Sequence, residues 1–466
     1  MSSVVVPETR QRSTATVPFR LLWLLSRPGT SSRAVSVLPV VAFGVVTALM
    51  LGVLGGARSF WSWDDELSGI YRVLSGIAVA LLVVPLLSVG GSAARLSARR
   101  RDDRLSTLRL LGATPAVVST MTVVESTLLA LAGALLGVIG YLAMMPALGL
   151  IQFRGEPLGI GSLWLGVPAI AAVVVAVVVL AAVSAALGLR KVVVSPLGVR
   201  TRQAAPKTHW VRIVVGLAVI GAVSLSMGML SAAPGMAVVT GILLGGSAAA
   251  LAVLNVVGPF VISVTARRQV RKASTPQRLM AARSVLESPK AAWRQVSGVA
   301  MTSFVAVFGG TGVAIADAAG SGASRGSSEY FLMGDIRTGV LITVLASFLM
   351  VAASAGINQA AAVLDRTDLY VNLDRLGMPE SVMNAARIRS VMSPLLLVGI
   401  GSALCAAVVV FPLTGIAILV APLSVLVIGA SLAAGIVLVW LALMVTTPVL
   451  RRVLAGASAP SSSAAQ

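Results

Sequence analysis

Ten stretches of mostly apolar residues alternate with short polar segments, near 35–56, 73–94, 120–148, 162–188, 211–231, 236–264, 296–316, 338–363, 391–412 and 415–447. A helix crossing the hydrocarbon core of a bilayer needs about 20 such residues, and each stretch meets that length. Inside a bilayer the backbone is satisfied only by helices or closed barrels. The pattern therefore predicts an all-α polytopic membrane protein of ten transmembrane helices. With 57% of its 466 residues hydrophobic and 11% charged, the chain has no segment that could form a soluble catalytic domain.

Orientation follows from Lys and Arg, which accumulate on the cytoplasmic side. With the N-terminus inside, 31 of the 36 basic residues fall on inner segments, and only Arg58, Arg72, Arg154, Arg325 and Arg337 fall outside. Both termini are thus expected in the cytoplasm. The same distribution disposes of nucleic acid as the reason for a net charge of +20, because the charge is spread over every inner segment. An anionic inner leaflet accounts for it, at about 1 kcal/mol per basic residue near the surface. One histidine and one cysteine, Cys405 within a span, give no basis for a transition-metal site or an intramolecular disulfide. Arg outnumbers Lys 32 to 4, a usage associated with GC-rich bacterial genomes, so the bacterial plasma membrane is the expected location.

The two halves resemble each other. Each is expected to hold an amphipathic lead-in, four spans and a charged inner segment after the second span. RLSTLRLLGATPAVVSTM at 104–121 lines up with LYVNLDRLGMPESVMNAA at 369–386. Both halves start inside, so the repeats are parallel, unlike the inverted repeats of many secondary transporters. The expected divisions are a cytoplasmic tail and amphipathic helix at 1–34, a first module at 35–203, two linker helices within 204–266, a second module at 267–454 and a disordered tail at 455–466.

The inner segment at 95–125 carries the most information. Leu105, Leu108 and Leu111 recur at helical spacing, Gly112 interrupts, and Thr114-Pro115 opens the next helix. The result is a short helical lever under the membrane, joined to the third span. Here the chain resembles the FtsX-like permease family, in Leu108 to Thr114 (LRLLGAT), Glu125, the Gly133/Gly137 pair, SPLGVRTR at 195–202 and ARSVLESPKAAWRQ at 282–295. The resemblance implies the membrane subunit of a type-VII ABC system, driven by a separate cytoplasmic ABC ATPase in two copies that binds ATP and Mg. Ten spans in two modules are most similar to Bce-type permeases, but only about 20 residues (317–337) stand where those carry a large outer domain. ATP must be hydrolysed elsewhere, since no G-x-x-x-x-G-K-[ST] occurs and FGGTGVAI at 308–315 lacks the lysine. No catalytic residue is assigned.

The expected ATPase-coupling residues are Leu108, Leu111 and Gly112 with Leu373, Leu376 and Gly377. Glu125 is expected to be a structural partner of an inner arginine. In the outer loop 58–72, Trp61, Trp63 and Tyr71 fit an interfacial belt, and Asp64, Asp65 and Glu66 could meet a cationic group on a substrate. The G-x-x-x-G pairs Gly133/Gly137 and Gly241/Gly245 predict close helix packing, and Asn255, Asn358 and Gln359 predict interhelical hydrogen bonds. Spans almost free of charge suit export or extraction of a hydrophobic or amphipathic substrate, such as a lipid, lipid-like antibiotic or peptide. The alternative is a non-transporting, ATP-driven signal relay to a cell-envelope partner.

Overall fold

The computed structural model describes residues 34–64, 67–79, 82, 115–193, 210–232, 234–319, 327–420 and 422–458. The first half contributes α1 (Ala34–Trp61), α2 (Ser68–Val79) and α3 (Pro115–Gly149). A two-residue-per-strand hairpin follows, β1 (Gln152–Phe153) against β2 (Glu156–Pro157), then α4 (Gly159–Leu163) and α5 (Val167–Val193). Next come α6 (Val211–Gly228) and α7 (Met236–Arg271). The second half holds α8 (Pro276–Glu287), α9 (Pro289–Ala319), α10 (Ser328–Asp365), α11 (Thr367–Arg375), α12 (Glu380–Val420), α13 (Pro422–Val445) and α14 (Thr447–Ser458).

Among the described residues, nine helices are long and apolar enough to cross a membrane. The chain is an all-α, multi-pass membrane protein. Of the second expected span, 73–94, the opening is seen as α2, and 80, 81 and 83–94 lie outside the described residues. Large apolar side chains face outward along the spans, among them Leu135, Ile139, Val175, Leu217 and Leu404. Water would not tolerate so many together, whereas lipid is their solvent.

Small residues decide how closely helices approach. α1 packs along α3, and α9 along α12. At Gly133 an added Cβ would sit 2.6 Å from both the Val40 carbonyl oxygen and the Phe43 Cβ, and at Gly137 it would sit 2.6 Å from the Thr47 Cβ. The first G-x-x-x-G pair is therefore a close-packing seam. The second is not, contrary to expectation: nothing lies within 4 Å of a Cβ at Gly241 or Gly245. The neighbouring Gly246 makes the approach instead, against Val223 and Met227 of α6. A one-residue offset moves a position about 100° around a helix, enough to turn the pair away from its partner.

Three packed regions organise the bundle. Ala42, Phe43, Val46 and Leu49 of α1 meet Ala130 and Ala134 of α3 and Val177 and Ala181 of α5, and Met350 and Ile357 of α10 join them. α10 thus seats the second half on the first. Trp293, Val296 and Val299 of α9 form the second region with Phe348 of α10, Leu395 of α12 and Leu443 of α13. The linker helices α6 and α7 lie on this second half, with Val223, Met227 and Ala250 against Phe304, Cys405 and Val409. Polar pairs pin them there: Ser224 Oγ donates to the Val408 carbonyl at 2.8 Å and Gln269 Nε2 to Ser393 Oγ at 2.7 Å. The expected interhelical bond of Asn255 is present, its Oδ1 accepting from the Trp293 indole N–H at 2.7 Å.

Several boundaries differ from the sequence reading. The expected amphipathic helix at 282–295 is broken at Ser288, where Pro289 opens α9, so 289–295 belong to the transmembrane helix. α10 starts ten residues before 338, with Ser327 Oγ accepting from the Tyr330 N–H at 3.2 Å as its N-cap. The tail expected to be disordered from 455 begins inside α14, which runs to Ser458; 459–466 lie outside the described residues, as do 1–33.

Candidate functional site

The inner lever of the second half is α11, split from α10 by Arg366 alone. Asp368 in its first turn and Arg375 in its last complement the helix dipole. One face is covered. Tyr370, Leu373 and Met378 pack on Val363, Met383 and, from α14, Leu450 and Leu454. The helix ends in a Schellman cap, in which the Met378 N–H reaches the Leu373 carbonyl at 3.0 Å and the Gly377 N–H the Asp374 carbonyl at 2.8 Å. This closure needs a left-handed residue, supplied by Gly377 at φ +81. The cap holds Leu376 outward, 82% exposed, beside Leu369 at 48%.

The expected coupling residues therefore take different places. Leu376 is presented to the cytoplasmic side, Gly377 shapes the turn that presents it, and Leu373 faces inward. Leu108, Leu111 and Gly112 lie outside the described residues. Glu125 is half-buried in α3.

Behind the lever is a buried cation that the sequence reading counted only as inner-side charge. Arg387 of α12 is 4% exposed. Its guanidinium donates to Asn384 Oδ1 at 2.9 and 3.3 Å, to the Leu443 carbonyl at 3.1 Å, to Thr447 Oγ1 at 3.3 Å and to Thr446 Oγ1. These bonds lock the start of α12 to the α13–α14 junction. Outside it, Arg451 of α14 pairs with Glu380 at 2.8 Å, and Arg366 with Glu287 of α8 at 3.1 Å. Those pairs are exposed, and solvent screening leaves such pairs little net stabilisation. Burial pushes the Tyr370 phenol above its ordinary value, with Arg387 and Arg366 pulling it back. An arginine opening a long apolar helix, followed far downstream by a Thr-Thr pair, was the available signal.

A second polar cluster closes the opposite end, the one that the basic residues place outside. Asp335 of α10, 8% exposed, accepts from the Tyr71 hydroxyl at 2.6 Å and from the Arg154 backbone N–H at 3.0 Å. Arg154 and Gly155 form the hairpin turn with φ 57 and 80, the two positive values a tight type I′ turn demands. Three segments from two halves meet here: the start of α2, the hairpin, and the start of α10. Trp63 stacks edge-on with Tyr71 at 5.0 Å, and Arg72 bonds the Trp63 carbonyl at 2.6 Å and Asp64 at 2.8 Å. Of the expected outer contacts, Trp61 is 63% exposed, Trp63 is drawn into the cluster and Asp64 pairs with Arg72; Asp65 and Glu66 lie outside the described residues.

Residues 76–194, which span the inner segment of the first half, α3, the hairpin, α4 and α5, match the FtsX-like permease C-terminal family model. No curated protein matches the chain.

Proposed function

We propose, on the premise that residues 76–194 make this chain an FtsX-like permease of the ABC-transporter type, that its two inner levers receive force from two copies of a cytoplasmic ATPase. FtsX-like permeases work with such ATPases. The ATP and Mg are bound by that partner. The observation that carries the reading is the capped helix α11. It exposes Leu369 and Leu376 while its other face packs on Met383 of α12 and on α14, which Arg387 ties to α12 and α13. A push on Leu376 therefore displaces transmembrane helices rather than a loose loop. Leu108, Leu111 and Gly112 do the same for the first half, through α3.

The substrate in this reading is a hydrophobic or amphipathic molecule, exported or extracted along helix faces that carry almost no charge. A signal relay is the lesser reading, because the segments expected on the outer side are short in the sequence, about 20 residues at 317–337 where Bce-type permeases carry a large domain. Leu376→Arg tests the reading, with Leu111→Arg as its first-half counterpart. The ATPase should co-purify with wild type and be lost, or reduced at least tenfold, in the double variant, with vesicle flux falling in parallel. Full ATPase retention and unchanged flux would sink it.

A further inference from the structure

At the outer end, Phe60, Trp63, Tyr71 and Phe153 form a box of rings with centroids 4.9–6.1 Å apart. A cation already sits in it: the Arg154 guanidinium carbon is 3.9 Å from the Trp63 centroid and 4.6 Å from the Tyr71 centroid. The buried Asp335 carboxylate accepts from the Tyr71 hydroxyl and the Arg154 backbone N–H at the edge of the box. Arg154 reaches the box from a turn at φ +57, a region that non-glycine residues seldom occupy. The type I′ turn that sets this φ also places the Arg154 guanidinium over the Trp63 and Tyr71 rings.

We propose that this box is a cation-binding site for a guanidinium or ammonium group carried on an apolar body, and that Arg154 is its built-in occupant. Ring faces attract any such cation, and a carboxylate screened from water attracts it more strongly than one in solvent. Neither feature is specific to an arginine of this chain. The apolar body is argued from the surroundings: Trp61 and Ile70, the chain neighbours of Phe60 and Tyr71, are 63% and 45% exposed, and exposed aromatic residues at the ends of spans favour the membrane interface. The site is separate from the inner levers, and its occupancy is read without ATPase or transport, so it stands or falls apart from the function proposed above.

The test is binding of labelled dodecylguanidinium to the full chain in phosphatidylcholine nanodiscs, with empty discs subtracted. Arg154→Gly removes the occupant and suits the positive φ; it should bind at least tenfold more tightly than wild type. Arg154→Lys keeps a cation in place and should stay within about threefold of wild type. Asp335→Asn added to Arg154→Gly should cancel the gain. Where Arg154→Gly does not fold, Arg154→Gln, which keeps the native turn geometry, gives the same reading. Equal affinity of wild type and the glycine variant would overturn the site, as would a gain that survives Asp335→Asn or is shared by neutral dodecanol. A gain for N-acetyl-arginine amide but not for dodecylguanidinium would overturn the apolar body.

Discussion

The two G-x-x-x-G pairs of this chain should respond to alanine with opposite signs. At Gly133 the new methyl would lie 2.6 Å from a backbone oxygen and a Cβ of α1, under the 3.0 Å that real Cβ atoms respect. Neither obstacle is the end of a flexible side chain. α1 must back away from α3 by roughly half an ångström, loosening contacts around Phe43 and Ala134. Overpacking costs about 1–3 kcal/mol, and two rigid obstacles put this site in the upper half of that range, about 2–3 kcal/mol, offset by about 1 kcal/mol of helix propensity gained on replacing glycine. A net loss of about 1–2 kcal/mol is expected for Gly133→Ala, and more for Gly133→Ala with Gly137→Ala. Gly241→Ala with Gly245→Ala meets open space and should be neutral or stabilising by up to about 1 kcal/mol. Unfolding in mixed detergent–SDS micelles, followed by circular dichroism, measures both pairs on one scale. Equal destabilisation of the two pairs, or a neutral Gly133→Ala, would refute the geometric argument.

Two further outcomes follow from the inner network. Arg387→Met leaves Asn384 Oδ1 and the two threonine hydroxyls without their buried donor; at about 1–3 kcal/mol per orphaned group, a loss of at least about 3 kcal/mol is expected in the same unfolding assay, and a change under about 0.5 kcal/mol would refute the lock. Gly377→Ala forces a methyl-bearing residue to φ +81, costing about 1–2 kcal/mol; hydrogen exchange should rise at the Gly377 and Met378 amides, and unaltered protection would show that the cap does not depend on glycine.

Local composition determined a good deal. Apolar length and the sidedness of arginine gave the membrane class and the span positions, because both are properties of each segment against its solvent. The LRLLGAT run with Glu125 pointed to the family that the match over 76–194 supports. Helix ends were less legible: Pro289, read as part of an amphipathic helix, starts α9, since a proline at a first turn terminates one helix and begins another with equal ease. What only the tertiary structure decided is which residues meet. Nothing near Asp335 in sequence foretells Tyr71 or Arg154, 264 and 181 residues away. Leu373 and Leu376 look alike in the sequence, yet packing against α14 partly covers the first and the cap exposes the second. The same glycine motif closes one interface and leaves another empty. Solvent preference is written residue by residue, whereas close approach depends on a partner surface supplied by a distant part of the chain.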